Sequence, residues 1–227
     1  MTKKPRPELT RSVEDYLKAI YHLSEGGEPA STNAVAETLA LAAPSVSGML
    51  KRLAEQGLVV HEPYRGATLT RSGRREALRV LRRHRLIETY LVARLGYTWD
   101  TVHAEAERLE HAVSDDLVER LAEALGNPAF DPHGDPIPGV DGSLTPRETT
   151  PLTVVANGTV VRIARVDTAD GDRLRWLASE GLIPGTTITV VSRQPFDGPI
   201  ALRRGTSHQV IGHDLATLVL CVVGEPA

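Results

Sequence analysis

The 227-residue sequence predicts an α+β fold that is mainly α and is built in three parts. Apolar residues recur about every three to four positions through residue 125 or so, which indicates amphipathic helices. Residues 126–150 are rich in Pro, Gly and Asp, a composition typical of a linker or an ordered loop. The pattern then changes to short alternating runs of β-branched residues, which predict the strands of a small β-barrel.

The N-terminal part is predicted to begin with three helices. Ser12 and Asp15 form a capping-box pattern at the start of the first helix. The second helix is capped by Ser31 or Thr32. The third begins after a short turn, and Pro44 suits its first turn because proline has no backbone N–H to donate. Three helices at this spacing predict a small helical domain.

A short hairpin follows the third helix. Gly57 ends that helix, and residues 58–70 predict two strands around a turn at 63–66. Three helices and a hairpin are the layout of a winged helix-turn-helix, whose third helix enters the major groove of DNA; a plain helical bundle with an inert hairpin is the alternative. Small, polar and basic side chains there can approach bases and phosphates. The predicted DNA contacts are Thr32, Ala42, Pro44, Ser45, Ser47, Gly48, Lys51 and Arg65.

Charge is divided unequally along the chain. Residues 1–85 carry 15 basic and 9 acidic side chains, whereas residues 86–227 carry 11 basic and 20 acidic ones. A basic module suits the phosphates of DNA and an acidic module suits cations, although ordinary solvated surfaces also give this pattern.

Several classes of protein are disfavoured. No run of about 18 apolar residues occurs, so no membrane span is predicted. The basic start of the chain is not followed by an apolar stretch, which argues against a secretory signal. Cys221 is the only cysteine, so no intrachain disulfide forms and a cytoplasmic location is expected. The His-Glu-x-x-His motif and repeated Glu-x-x-His motifs are absent, which argues against a metalloenzyme.

Histidine and glutamate recur at helical spacing in the middle of the chain. If one helix covers residues 100–125, four of them share a face: His103, Glu107, Glu110 and His111. In the preceding predicted helix, over residues 72–95, His84 and Glu88 are also one turn apart. Imidazole and carboxylate on adjacent turns are ligands for divalent cations, and the lack of thiol favours Mn(II) or Fe(II) over a Cys-lined zinc site. Solvated polar helix faces are the alternative interpretation.

The sequence resembles the diphtheria toxin repressor and manganese transport regulator (DtxR/MntR) family. The resemblance covers most of the chain and is strongest in residues 38–58, 83–86, 102–111 and 135–141. The last third resembles the SH3-like, FeoA-type domain of the longer members. The resemblance implies a DNA-binding domain over 1–73, a helical dimerisation and metal-binding domain over 74–147, and an SH3-like domain over 148–227. It further implies a homodimeric repressor of metal-homeostasis genes that binds a palindromic operator.

The resemblance also implies two metal sites. The primary site would use Asp15, Glu107, Glu110 and His111. The ancillary site would use His84, Glu88 and His103, with Asp170 from the third domain and Asp172 nearby. Family members place a glutamine where this chain has Arg173, and a guanidinium does not ligate a cation.

Two positions bear on the choice of metal. Iron-type members carry Met and Cys where this chain has Asp15 and Glu107, so the resemblance favours Mn²⁺, with Fe²⁺ as the alternative. Manganese-type members carry a second carboxylate where this chain has Lys18. A winged-helix regulator that senses an organic ligand is a further alternative, and DNA binding that ignores chelators would support it.

Overall fold

The computed structural model describes residues 9–145 and 147–224, and these separate into two compact units. The first contains residues 9–84, 110–113 and 138–143, and the second contains the rest of the described chain. Residues 1–8, to which the expectation of no secretory signal refers, lie outside the described residues. Within the described ranges, none of the helices combines the length and apolar content that a membrane span needs.

The first unit is a winged helix-turn-helix, as predicted. Its elements are α1 (Arg11–Leu23), α2 (Thr32–Thr38), α3 (Ala43–Glu55), β1 (Val59–Glu62), β2 (Gly66–Leu69) and the first part of α4 (Arg71–Leu95). The hairpin is antiparallel, with Val59 opposite Leu69. An isolated bridge between Ala30 and Ala67 ties the hairpin to the segment before α2.

Apolar side chains at helical spacing build the core of this unit. Leu17 and Ile20 of α1 and Val46, Leu50 and Leu53 of α3 are completely buried. Their spacing of three or four positions puts them on one face of each helix, so the opposite face of α3 stays in solvent.

The capping box predicted at Ser12 is wrong. Ser12 lies inside α1, and the N-cap is Thr10, whose Oγ1 accepts a hydrogen bond from Val13 N at 3.4 Å. Threonine caps a helix by the same hydroxyl chemistry as serine, so the sequence pattern alone was ambiguous by two positions. Asp15 is therefore not engaged in capping.

The single helix predicted over residues 100–125 is also wrong. Two helices occur there, α5 (Val102–Leu109) and α6 (Asp115–Ala124), with a turn over residues 110–113. Ser114 caps α6, because its Oγ accepts from Leu117 N at 3.2 Å, and Asp115 and Asp116 favour the positive end of the helix dipole. Glu110 and His111 thus lie on a turn that belongs to the first unit, while α5 and α6 belong to the second.

The C-terminal part of the second unit is a small sheet domain. Its elements are β3 (Thr150–Pro151), a 3₁₀ turn (Leu152–Val154), β4 (Val160–Val166), α7 (Gly171–Ser179), β5 (Thr187–Arg193), β6 (Ile200–Arg204), β7 (Ser207–Ile211), α8 (His213–Thr217) and β8 (Val219–Val223). The strand order is β3-β8-β4-β5-β6-β7, and every pairing is antiparallel. The sequence did not predict β7, because this edge strand is largely exposed and lacks a run of apolar residues.

The sequence left open whether the Pro/Gly-rich residues 126–150 form a linker or an ordered loop. Over much of its length this stretch is an ordered loop. Phe130 and Pro136 form an isolated bridge. Asp131 Oδ1 accepts from His133 N at 2.8 Å and from Asp135 N at 2.9 Å, which closes a tight turn. His133 O accepts from Val166 N at 2.9 Å, so β4 holds the loop in place.

Gly73 offers a test of packing in the first unit. A Cβ added there would lie 1.9 Å from Leu58 O, which is backbone, whereas one added at Gly48 would meet nothing within 4 Å. We expect Gly73→Ala to lower the free energy of unfolding by about 1–3 kcal/mol. Gly48→Ala, the matched control, should raise it by up to about 1 kcal/mol through helix propensity. Denaturant unfolding followed by circular dichroism measures both, and equal stability of the two variants would contradict the packing.

Candidate metal centres and DNA surface

Three predicted ligands meet in the first unit, and we call Asp15, Glu110 and His111 the primary cluster. Asp15 comes from α1, whereas Glu110 and His111 come from the turn over residues 110–113. His111 Nε2 lies 2.8 Å from Asp15 Oδ1 and 3.2 Å from Glu110 Oε1. One ligand atom from each residue lies within 4.8 Å of the others, which is close enough for one cation to bind all three.

The imidazole of His111 is oriented as a metal ligand. Its Nδ1 lies 2.7 Å from Glu14 Oε2, and because a carboxylate only accepts, Nδ1 carries the proton. In the neutral ring the lone pair is then on Nε2, which is buried, lies near two carboxylates and makes no hydrogen bond of acceptable geometry within the described chain. Glu14 is itself fixed by Arg83, whose Nη1 donates to Glu14 Oε1 at 2.9 Å. A carboxylate behind a ligating histidine is the usual support of a protein metal site, so these residues fit a divalent cation.

Glu14 was missed by the sequence analysis. Its signal in the sequence was an acidic residue next to Val13 and three before Leu17, on the apolar face of α1, where an acidic side chain is buried only with a partner.

Glu110 is completely buried and has a partner on each oxygen. His84 Nδ1 lies 2.6 Å from Oε2, and Lys18 Nζ donates to Oε1 at 2.6 Å. Burial alone would raise the pKa of Glu110, but the hydrogen bond and charge of His84, together with Lys18, lower it. At Asp15 burial has the larger effect and raises the pKa, although His111 and Lys18 oppose it. Divalent cations would favour the ionised form of both carboxylates.

A second group of side chains that could ligate a metal lies in the second unit. We call Glu88, Asp131 and His133 the buried cluster. Each of the three side chains is less than a tenth exposed. His133 Nδ1 lies 3.7 Å from Glu88 Oε2, and His103 Nδ1 lies 3.1 Å from Glu88 Oε1. Ligand atoms of the buried cluster also lie within 4.8 Å of one another.

The surroundings of His133 turn its Nδ1 toward the carboxylates. Its Nε2 donates to Trp99 O at 2.7 Å, and the indole of Trp99 stacks on the ring. Burial opposes protonation, but Glu88 and Asp131 raise the pKa of His133 to about 9. Burial, with the charges of Asp135 and Glu88, raises the pKa of Asp131 to about 7. The sequence analysis missed Asp131 and His133 because both lie in the stretch interpreted as a linker or loop.

The remaining predicted ligands are placed elsewhere. Glu107 belongs to the second unit, where its Oε1 lies 3.7 Å from His103 Nε2. Asp170 is the N-cap of α7, and Asp172 is paired with Arg175. Among the described residues, neither aspartate belongs to a cluster of three side chains that could hold one metal ion. The structure thus brings Asp15, Glu110 and His111 together but does not bring Asp170 or Asp172 to the other predicted ligands.

The residues predicted to contact DNA lie around α3. Ala42 is its N-cap, and Pro44, Ser45, Ser47, Gly48 and Lys51 are all exposed on it. The Ser47 hydroxyl donates to Ala43 O at 3.1 Å, so its oxygen remains an acceptor. Thr32 begins α2. Arg65 lies at the hairpin turn, where Glu62 is 3.3 Å away.

Comparison with protein families assigns all three parts of the chain. Residues 8–67 match the model described as the iron-dependent repressor N-terminal DNA-binding domain. Residues 70–139 match the iron-dependent repressor metal-binding and dimerisation domain. Residues 150–223 match the FeoA domain.

Individual relatives cover nearly the whole chain. The iron-dependent repressor IdeR of Mycobacterium leprae is 33% identical over 93% of this chain and 97% of its own length. The diphtheria toxin repressor of Corynebacterium diphtheriae is 32% identical over 92% and 96%. A solved structure of a manganese-dependent transcriptional repressor in complex with manganese superposes with a TM-score of 0.86 and is 42% identical, over 93% of this chain and 99% of that one.

Proposed function

Because this chain belongs to the iron-dependent repressor family, we propose that it is a repressor whose activating ion is Mn²⁺. Membership makes the chain a metal-dependent, DNA-binding repressor that dimerises, and not an enzyme. The observation that carries the proposal is the buried Nε2 of His111, which faces Asp15 and Glu110 without a hydrogen bond. An imidazole lone pair between two carboxylates is an arrangement suited to a divalent cation.

The donor atoms support manganese over softer metals. The primary cluster offers only carboxylate oxygen and imidazole nitrogen, and Cys221 is buried in the core of the C-terminal sheet. Such donors suit Mn²⁺ and Fe²⁺, whereas thiolate-rich sites select zinc or Cu(I). The manganese-dependent repressor of 42% identity favours Mn²⁺. Relatives named as iron-dependent, at 33% identity, make Fe²⁺ the second candidate.

We assign the two sites as follows. The primary site uses Asp15, Glu110 and His111, with Glu107 as the fourth ligand that the family resemblance implies. The ancillary site uses the buried cluster, with His103 and, one turn before Glu88 on α4, His84. Asp170 and Asp172 are left out, because one caps α7 and the other is paired with Arg175.

The mechanism follows from where the primary ligands lie in the chain. Asp15 is part of α1, which packs in the DNA-binding unit, and Glu110 and His111 lie between α5 and α6. Asp15, Glu110 and His111 would hold a divalent cation, whose positive charge would bind the turn over residues 110–113 to α1. We propose that this restrains the chain on either side of the turn, which leads into α5 and α6. Bound metal should then strengthen the binding of palindromic DNA, and bound DNA should strengthen the binding of metal by the same factor. We propose that this takes place in the cytoplasm, where the operator lies.

We keep the boundaries 1–73, 74–147 and 148–227 for the three domains. Limited proteolysis of the full chain, with and without Mn²⁺, locates the exposed linkers between them. Added Mn²⁺ should protect the region around residues 110–113 if those residues hold the ion.

Genomic DNA capture tests the function. The purified chain is incubated with sheared genomic DNA in the presence of Mn²⁺, of Fe²⁺ without oxygen, or of a chelator, and the retained fragments are sequenced. We expect palindromic fragments to be retained at lower free Mn²⁺ than Fe²⁺, and not with chelator. Retention at lower Fe²⁺ would establish the iron-responsive alternative, and retention that ignores the chelator would refute metal activation.

The ancillary site is tested by counting bound ions. His133→Ala removes one ligand of the buried cluster and leaves the primary cluster intact, so the Mn²⁺ bound per chain should fall by one site. The matched control is His208→Ala, which changes an exposed histidine on β7. Metal analysis after equilibrium dialysis gives the stoichiometry. Unchanged stoichiometry in His133→Ala would remove His133 from the ligand set.

A further inference from the structure

Lys18 lies inside the primary cluster. Its Nζ is 2.6 Å from Glu110 Oε1, and its side chain is only 13% exposed against a completely buried carboxylate. The same Oε1 lies 3.2 Å from His111 Nε2, so the ammonium shares this oxygen with the atoms that face the proposed ion. Lys18 also influences Asp15, whose carboxylate it helps to keep ionised.

Basic side chains already balance part of the negative charge around the primary cluster. Three carboxylates meet there, those of Glu14, Asp15 and Glu110, and Arg83 is paired with Glu14. Lys18 is paired with Glu110, and the more exposed Arg11 lies 3.9 Å from Asp15. A buried ammonium is costly to desolvate unless it is paired, so its place against Glu110 is a built feature of the site.

We propose that Lys18 is a resident cation of the primary cluster, and that it sets the metal threshold of the repressor because an incoming divalent ion must compete with it for Glu110. This inference rests on the proposed function and concerns the same site. The ammonium keeps Glu110 satisfied when the metal is absent, and it repels the ion when the metal arrives. Both effects weaken binding, which raises the metal concentration at which the protein switches.

Neutralising Lys18 should therefore tighten metal binding. Lys18→Gln keeps an N–H donor near Glu110 and removes the charge, and we expect it to bind Mn²⁺ at one site about tenfold more tightly, because like charges a few ångströms apart repel strongly in partly buried surroundings. Lys18→Arg keeps the charge and should bind as the unaltered chain does. Arg203→Gln is the matched control, because it removes an exposed positive charge on β6 that lies outside the primary cluster and the DNA-contacting residues.

The measurements are Mn²⁺ titration by calorimetry on the full chain and the rise in Tm that saturating Mn²⁺ produces. The inference predicts tighter binding at one site and a larger rise in Tm for Lys18→Gln, with Lys18→Arg and Arg203→Gln unchanged. It is overturned if Lys18→Gln binds Mn²⁺ equally or less tightly while a folded His111→Ala loses one site. If His111→Ala keeps both sites, the proposed function of the primary cluster fails, and the inference fails with it.

Discussion

His111→Ala should abolish metal-stimulated binding to the operator while the dimer stays intact. The change removes the only imidazole of the primary cluster, and we expect Mn²⁺ affinity at that site to fall by about a hundredfold or more, because even supporting residues behind a ligand alter affinity by about 10–100-fold. Glu14 keeps its ion pair with Arg83 in this variant, so the fold has no new unpaired buried charge. Fluorescence anisotropy of labelled operator DNA over a range of Mn²⁺ measures the effect.

His208→Ala is the control for His111→Ala, since it removes an exposed imidazole far along the sequence, on β7. Sedimentation analysis checks that both variants remain dimers. Glu107→Ala decides a separate point, because Glu107 Oε1 lies 3.7 Å from His103 Nε2 and the family resemblance assigns Glu107 to the primary site. Loss of metal stimulation in both Glu107→Ala and His111→Ala would support four ligands. Stimulation that survives in His111→Ala would refute the primary site itself.

Gly48→Glu should strongly weaken specific DNA binding without changing metal binding. Gly48 is exposed on α3, and a Cβ there meets nothing within 4 Å, so the fold accommodates a side chain. A carboxylate on the helix that faces DNA would oppose the phosphates, and we expect operator affinity to fall by about a hundredfold. Operator binding at saturating Mn²⁺ gives the affinity, and calorimetric titration with Mn²⁺ confirms the intact metal sites.

Gly48→Ala separates charge from backbone effects at the same position. It adds a methyl group in open space and should leave operator affinity within a few-fold of the unaltered chain. If Gly48→Glu bound the operator normally, α3 would not be the helix that enters the major groove. Equal losses in Gly48→Ala and Gly48→Glu would indicate that the position tolerates no side chain at all, and charge would not be the reason.

Short-range patterns explain why the winged helix-turn-helix could be predicted from the sequence. Each signal involves residues that are close in sequence. These signals are the apolar spacing on α1 and on α3, Pro44 at the start of α3 and Gly57 after its end. Gly57 has a φ of +69°, a left-handed conformation that glycine adopts without steric cost. Local capping was less certain, because Thr10 and Ser12 carry the same hydroxyl, and only the packed helix decides between them.

The ligand types were predictable and their arrangement was not. Histidine and glutamate in residues 102–111, together with the lack of thiol, indicated a cation site of oxygen and nitrogen. The helical wheel that put Glu110 and His111 on one continuous helix with His103 and Glu107 was wrong, because α5 ends at Leu109, the chain turns over residues 110–113, and Ser114 begins a new helix. The sequence contained that signal, but the helical period of the surrounding residues outweighed it.

The sequence by itself determined the winged helix-turn-helix, the small C-terminal β domain and the chemistry of the metal donors, because helices, hairpins and donor atoms depend on neighbouring residues. Only the tertiary structure decided which donors meet and what supports them. Lys18 and Glu110 are 92 positions apart, and Glu14 and His111 are 97 apart. Pairs at such separations are brought together by packing of whole elements, so no local pattern identifies Lys18 or the loop residue His133 as part of a site, and the position of Glu14 on the apolar face of α1 does not name its partner.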